Sequence, residues 1–137
     1  GSKTLILGVK MSRTVIHSDH APSAIGPYSQ AVRIDSTVYL SGQIPLVPST
    51  GVLLEGSIDA QSRQVFENLK AVCLASGGSL SNIARVGIYL TDLADFAVVN
   101  AVMAEYFQAP YPARSTIQVA ALPKGANVEV DAIMVLS

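Results

Sequence analysis

After Met11 the hydrophobic period of this chain switches repeatedly between two residues and 3.6, and prolines and glycines mark the switches. Thr14-Val15-Ile16-His17 reads as a short strand. Ala21 to Pro27 carries two prolines and a glycine, which forbid regular hydrogen bonding, so it is a loop. Ala31 to Ile34 and Thr37 to Ser41 are rich in β-branched residues, and Asp35-Ser36 between them suits a tight turn; together they predict a hairpin. Gly42 to Gly56 holds Pro45, Pro48 and three glycines and is a long loop. Ser57 is placed to cap a helix, with Asp59 in its first turn. Ile58, Val65, Leu69, Val72 and Cys73 share one helical face, and Gly77-Gly78 ends the helix. Ile83 to Leu90 is a strand. Asp92 or Asp95 caps a second helix with Phe96, Val99, Met103, Tyr106 and Phe107 on one stripe, stopped by Pro110 and Pro112. Strands at Ser115 to Ala120 and Val128 to Leu136 follow, separated by a Pro123-Lys124-Gly125 turn.

This order predicts an α+β fold: about six strands in one mixed sheet, with both helices on one face. Nothing within the chain then covers the other face. Composition bears on that point. Of 137 residues half are hydrophobic and only 14% are charged, against about 25% in average globular usage. A chain short of charge, with an uncovered sheet face, is expected to associate with copies of itself.

The same numbers exclude several classes. Disordered chains are poor in hydrophobics and rich in net charge. No apolar run reaches the ~18–20 residues of a spanning helix, so no membrane partner is expected. The formal net charge is −1 and no Lys/Arg cluster occurs, so no nucleic-acid partner is expected either. The single cysteine cannot form an internal disulfide, which favours a cytoplasmic location. Residues 1–10 read as a tag or other non-native extension, with Gly1-Ser2 like a cleavage scar, leaving residues 11–137 as one domain.

Metal binding is not expected. His17 and His20 are the only histidines, and no cysteine or carboxylate cluster accompanies them; His20 beside Asp19 suits a local hydrogen-bonded pair. Cys73 lies at a core position among apolar neighbours, so its thiol should be buried and inert. No Gly-x-Ser-x-Gly and no phosphate-cradling glycine loop appears. Three residues remain. Arg114 sits at the mouth of a strand after a proline-stiffened loop, either as a surface ion-pair partner or as a bidentate carboxylate clamp. Glu129 alternates with Val128 and Val130 and shares a face with Asp131. That face is either simply solvated or presents a partly buried carboxylate able to orient water. Tyr28 follows Gly26-Pro27 in a stiff loop, packed there or offering its hydroxyl.

Four separated blocks carry a resemblance that spans Met11 to Ser137. They are Ala24-Ile25-Gly26-Pro27-Tyr28-Ser29-Gln30-Ala31, Ser41-Gly42-Gln43-Ile44-Pro45, Tyr111-Pro112-Ala113-Arg114-Ser115, and Leu122-Pro123-Lys124 with Val128-Glu129-Val130. Together they resemble the RidA (YjgF) family of reactive-intermediate deaminases. The resemblance implies a chorismate-mutase-like fold and a homotrimer with sites in clefts between subunits. It implies hydrolysis of 2-iminobutanoate or 2-iminopropanoate, released by pyridoxal-phosphate dehydratases, to a 2-oxo acid and ammonia. The protein itself would use no cofactor. Arg114 matches the arginine that clamps the substrate carboxylate, Glu129 the acid that positions water, and Tyr28 a cleft tyrosine. Ser41 and Gly42 match a loop whose backbone approaches the ligand, and Asn100 an asparagine near the cleft. Thr116 departs from the cysteine common at its position. The alternatives are a regulatory trimer that binds 2-oxo acids without turnover and, against the charge balance, an endoribonuclease or translation inhibitor.

Overall fold

The computed structural model describes residues 12–137. The stretch read as a foreign extension, residues 1–10, lies outside them. Six strands form one sheet: β1 (Arg13–Ile16), β2 (Ala31–Ile34), β3 (Thr37–Gln43), β4 (Ile83–Leu90), β5 (Ala113–Gln118) and β6 (Val128–Val135). Their order is β1-β2-β3-β6-β4-β5. All pairs are antiparallel except β4 and β5, which run parallel. A parallel neighbour requires a crossover. That crossover is helix α2 (Phe96–Tyr106), and helix α1 (Ile58–Ala75) joins β3 to β4.

Local chemistry sets these boundaries. Asp35 turns the β2–β3 hairpin in the left-handed region, which Asp tolerates. Ser57 caps α1 by accepting from the Ala60 amide at 3.1 Å. Beyond the helix, Gly77 has φ +90°, and the Gly78 amide donates to the Cys73 carbonyl at 3.1 Å. This is the wrapped C-terminus that glycine permits. For α2 the capping residue is Asp92, which accepts from the Ala94 amide at 2.9 Å and starts a 3₁₀ turn leading into the helix. Asp95 makes no side-chain cap bond.

Strand β5 begins at Ala113 and ends at Gln118, two residues earlier than its apolar pattern predicts. Its bounds follow the pairing with β4, Arg85 to Ala113 through Leu90 to Gln118. Strand β1 likewise spans Arg13–Ile16, shifted by one residue.

Both helices cover one sheet face, as the element order predicts. Val65, Phe66, Leu69, Val72 and Cys73 of α1 are buried together with Val38, Leu40, Val86, Ile88, Leu90, Val128, Val130 and Met134 of the sheet. Each such side chain contributes about 1.5–3 kcal/mol through burial. Phe66 joins the helices, with its ring centroid 5.5 Å from that of Tyr106 and 6.0 Å from that of Phe107. Outside, Arg63 bridges Asp59 of its own helix and Glu105 of α2, at 2.9 and 2.8 Å.

Among the described residues no helix covers the other face. Val15 (62% exposed), Tyr39 (47%) and Val135 (45%) stand on it. Among the described residues no helix is long and apolar enough to cross a membrane.

Candidate active site

Arg114 is the second residue of β5 and pairs with Val86 of β4. Paired residues in a parallel ladder share a face, and Val86 is fully buried. Arg114 therefore projects on the helix side, where α2 receives it. One guanidinium nitrogen donates to Asn100 Oδ1 at 2.7 Å and approaches Met103 Sδ at 3.5 Å. The guanidinium carbon stands 5.2 Å from the centre of the Phe96 ring, a cation–π distance. Phe96, Asn100 and Met103 occupy successive turns on one side of α2. Two hollows of about 450 Å³ each open beside the guanidinium. Leu93, Phe96 and Thr116 line one, and Asn100, Met103, Tyr111 and Pro112 the other. The Thr116 hydroxyl is buried and has no hydrogen-bond partner. Arg114 has no carboxylate partner among the described residues. The guanidinium is thus a cation beside an aromatic ring with no counter-charge of its own among those residues, a group able to pair with a carboxylate.

Glu129 belongs to a different group. It pairs with Tyr89, and its strand neighbours Val128 and Val130 are fully buried on the helix side. Alternation puts Glu129 and Asp131 together on the open face, as predicted. Gly42 lies directly over the Glu129 carboxyl. A Cβ at Gly42 would overlap the carboxylate and come within 2.8 Å of Glu129 Cδ. Only glycine lets the two approach. Burial pushes the Glu129 carboxyl above its ordinary range, and the neighbouring Asp131 adds to the rise.

The loop carrying Tyr28 is tied to the same strand end. Ser41 donates its hydroxyl to the Ser29 carbonyl at 2.6 Å and its amide to the Gln30 carbonyl at 3.0 Å. Buried Gln30 accepts from the Ser18 amide at 2.6 Å and donates to the Pro22 carbonyl at 2.8 Å. Tyr28 is 54% exposed. Gln30 was no candidate from the sequence; a buried amide fastening a loop to its own start leaves no local pattern.

The candidates thus form two groups. Arg114 and Asn100 lie on the helix face at the sheet edge. Glu129 and Gly42 lie together at the open face, beside Ser41 and the loop that holds Tyr28. One chain does not gather them around one small molecule.

The remaining candidates fall away. Cys73 is fully buried, and desolvation pushes its thiol up to about 12. Asp19 bonds to His17 at 2.9 Å rather than to His20, because the chain turns at Asp19-His20, where the His20 amide donates to the Ser18 hydroxyl at 3.1 Å. Among the described residues no three His, Cys, Asp or Glu side chains gather as a metal site would require.

The fold is an α+β domain of two helices on one six-stranded mixed sheet, with its candidate residues divided between the sheet's edge and its open face. Residues 18–136 match the family model described as endoribonuclease L-PSP, and the chain belongs to that family, the YjgF/RidA family. It is 56% identical over 128 residues to protein DfrA of Myxococcus xanthus, covering 92% of this chain and 98% of the other. It is 47% identical over 124 residues to the 2-iminobutanoate/2-iminopropanoate deaminase of Dermatophagoides farinae, covering 90% and 97%. The crystal structure of RidA from an Antarctic Psychrobacter superposes with a TM-score of 0.87 at 51% identity, covering 90% and 99%.

Proposed function

We propose that this protein is a 2-iminobutanoate/2-iminopropanoate deaminase working as a homotrimer, with each site completed between two subunits. The observation that carries the reading is Arg114. It is a guanidinium held ready by Asn100, Met103 and Phe96, with no carboxylate of its own among the described residues. The substrate carboxylate fills that place. The other half of the site comes from the open face of a neighbouring subunit, since Glu129 stands there and not beside its own Arg114. The helix-free sheet face, with Val15, Tyr39 and Val135 exposed on it, supports this assembly.

The chemistry needs no covalent nucleophile. Water adds across the C=N bond to give a carbinolamine. A proton moves to nitrogen, the C–N bond breaks, and ammonia and a 2-oxo acid leave. Arg114 fixes the carboxylate and so the orientation of the imine carbon. Glu129 holds the water and takes its proton, a contribution typically worth about 10²–10⁴-fold. A carboxylate with raised proton affinity is a stronger base than a solvated one. Asn100 keeps the clamp in place, Tyr28 reaches the imine, and the Ser41–Gly42 backbone closes against the ligand. Pyridoxal-phosphate dehydratases acting on serine or threonine supply the imine, and the setting is cytoplasmic. A passive sensor of 2-oxo acids would need Arg114 but not a half-buried acid. A nuclease reading is not favoured by a sequence of net charge −1 without a Lys/Arg cluster.

The test couples a serine or threonine dehydratase to this protein and follows imine decay. Accelerated decay that Arg114→Ala removes, with the trimer mass unchanged, supports the proposal. No acceleration for any amino-acid-derived imine would leave a binding protein instead.

A further inference from the structure

The open face holds a second carboxylate that the hydrolysis above does not use. Asp131 follows Glu129 by two residues on β6, so both project from the same face. It is held firmly. The Tyr89 hydroxyl donates to Asp131 Oδ2 at 3.0 Å. Gly87 leaves the hollow in which the pair sits. A Cβ at Gly87 would come within 2.5 Å of Asp131 Oδ1 and 2.8 Å of the Tyr89 hydroxyl. Gly87 pairs with Asp131 across the ladder, and Tyr89 with Glu129. Three residues of β4 and β6 are therefore fitted together to keep one acid in place beside another.

Two fixed acids on one sheet face are destabilising unless something is gained. No salt bridge relieves them among the described residues. We propose that Asp131, fixed by Tyr89 over Gly87, is a positioning residue for Glu129 that acts through the repulsion between their two carboxylates. The inference rests on the assignment of Glu129 as the water-activating acid.

The sign is as follows. A negative charge at Asp131 makes a second one beside it costly, so Glu129 binds its proton more tightly. Burial is the larger cause of the rise at Glu129, and the Asp131 charge adds to it. The other titratable groups on this face are Arg85 and Tyr89 of β4, Tyr39 of β3, which pairs with Ile133, and Arg13 at the far end on β1, while β3 sets Gly42 over the Glu129 carboxyl. The Tyr89 hydroxyl is itself raised, first by burial and then by its bond to Asp131, so it stays protonated and keeps donating. A Glu129 that gives up its proton only above the usual carboxylate range is a better base once ionised, and nearer the working pH of a hydrolase. The pair of acids also favours a protonated, cationic imine over a neutral one, and the cationic form is the one that water attacks readily.

The experiment combines the pH profile of imine hydrolysis with a carbon-13 NMR titration of the Glu129 carboxyl. It uses the intact trimer, Asp131→Asn, Asp131→Glu and Tyr89→Phe. Asp131→Asn should move the Glu129 titration and the acid limb together toward lower pH by roughly half to one unit. Activity well below the limb then rises about three- to tenfold relative to the plateau. Asp131→Glu keeps the charge and should restore the wild-type limb. Tyr89→Phe frees Asp131 to swing into water and should move the limb the same way by less, which retains a test should Asp131→Asn misfold. An unmoved Glu129 titration in Asp131→Asn overturns the inference. So does a shifted titration with an unmoved acid limb. The underlying role of Glu129 fails separately, if Glu129→Gln keeps full activity.

Discussion

Arg114 and Glu129 flank the same strand, β4, from its two sides and from opposite faces of the sheet. Arg114 pairs with Val86 and points toward the helices; Glu129 pairs with Tyr89 and points away from them. Within one chain the sheet itself stands between the two side chains.

Complementation follows from that geometry. Arg114→Ala and Glu129→Gln should each be inactive alone. Refolded together in equal amounts, they should recover about a quarter of wild-type activity, because one interface in four joins an intact arginine to an intact glutamate. Mixed trimers that stay inactive would show that each subunit uses its own pair.

Arginine's fork, not its charge alone, is the expected basis of recognition. Each hydrogen bond to a charged group contributes about 1.5–3 kcal/mol, so Arg114→Ala should lose roughly 10²–10⁴-fold in kcat/KM. Arg114→Lys should recover only part, since an ammonium cannot grip bidentately or stack on Phe96. Steady-state kinetics with unchanged thermal melting checks this.

Gly42→Ala places a methyl group where the Glu129 carboxyl lies. The acid must move or the strand must shift, at a cost of about 1–3 kcal/mol. The expected result is a large fall in kcat with a smaller change in KM. A fully active Gly42→Ala variant would separate Glu129 from the chemistry.

The orphan hydroxyl of Thr116 gives a prediction of opposite sign for stability and binding. Removing a buried hydroxyl that has no partner costs no hydrogen bond. Thr116→Val should unfold at the same or higher denaturant concentration than the wild type. If the hydroxyl meets substrate, KM rises about tenfold, the equivalent of one ordinary hydrogen bond. Urea melts and kinetics on one preparation read both.

Cys73 should behave as a packing residue. With its thiol pushed up to about 12 by burial, only about one molecule in 10³ carries a thiolate at pH 9. Thiol reagents should label it only on unfolding.

Much of the fold can be read from residues acting on near neighbours. The Ser57 cap, the Gly77 terminus and the Val128–Glu129–Val130–Asp131 alternation depend on contacts a few residues apart, and all three stand as read. The ends of β5 do not, because its partner β4 sets them through a ladder between strands more than twenty residues apart. The choice between Asp92 and Asp95 turned on a 3₁₀ turn that no periodicity marks. At the site, Arg114 and Glu129 stand out as charges within apolar strands. That they face apart depends on the β4–β5 register, which the sequence does not carry. Tyr89 and Asp131 are 42 residues apart. Their pairing, like the Gln30 clamp, exists only once the sheet has formed.

The cradle that α2 builds around Arg114 has a thermodynamic consequence. A free arginine side chain loses up to about 2 kcal/mol of rotamer entropy when it is immobilised. Here Phe96, Asn100 and Met103 restrict it as the chain folds, before any ligand arrives. The ordering penalty is therefore charged against the stability of the domain and not against affinity. A ligand carboxylate that met this guanidinium would therefore lose less affinity to side-chain ordering than it would at a free arginine.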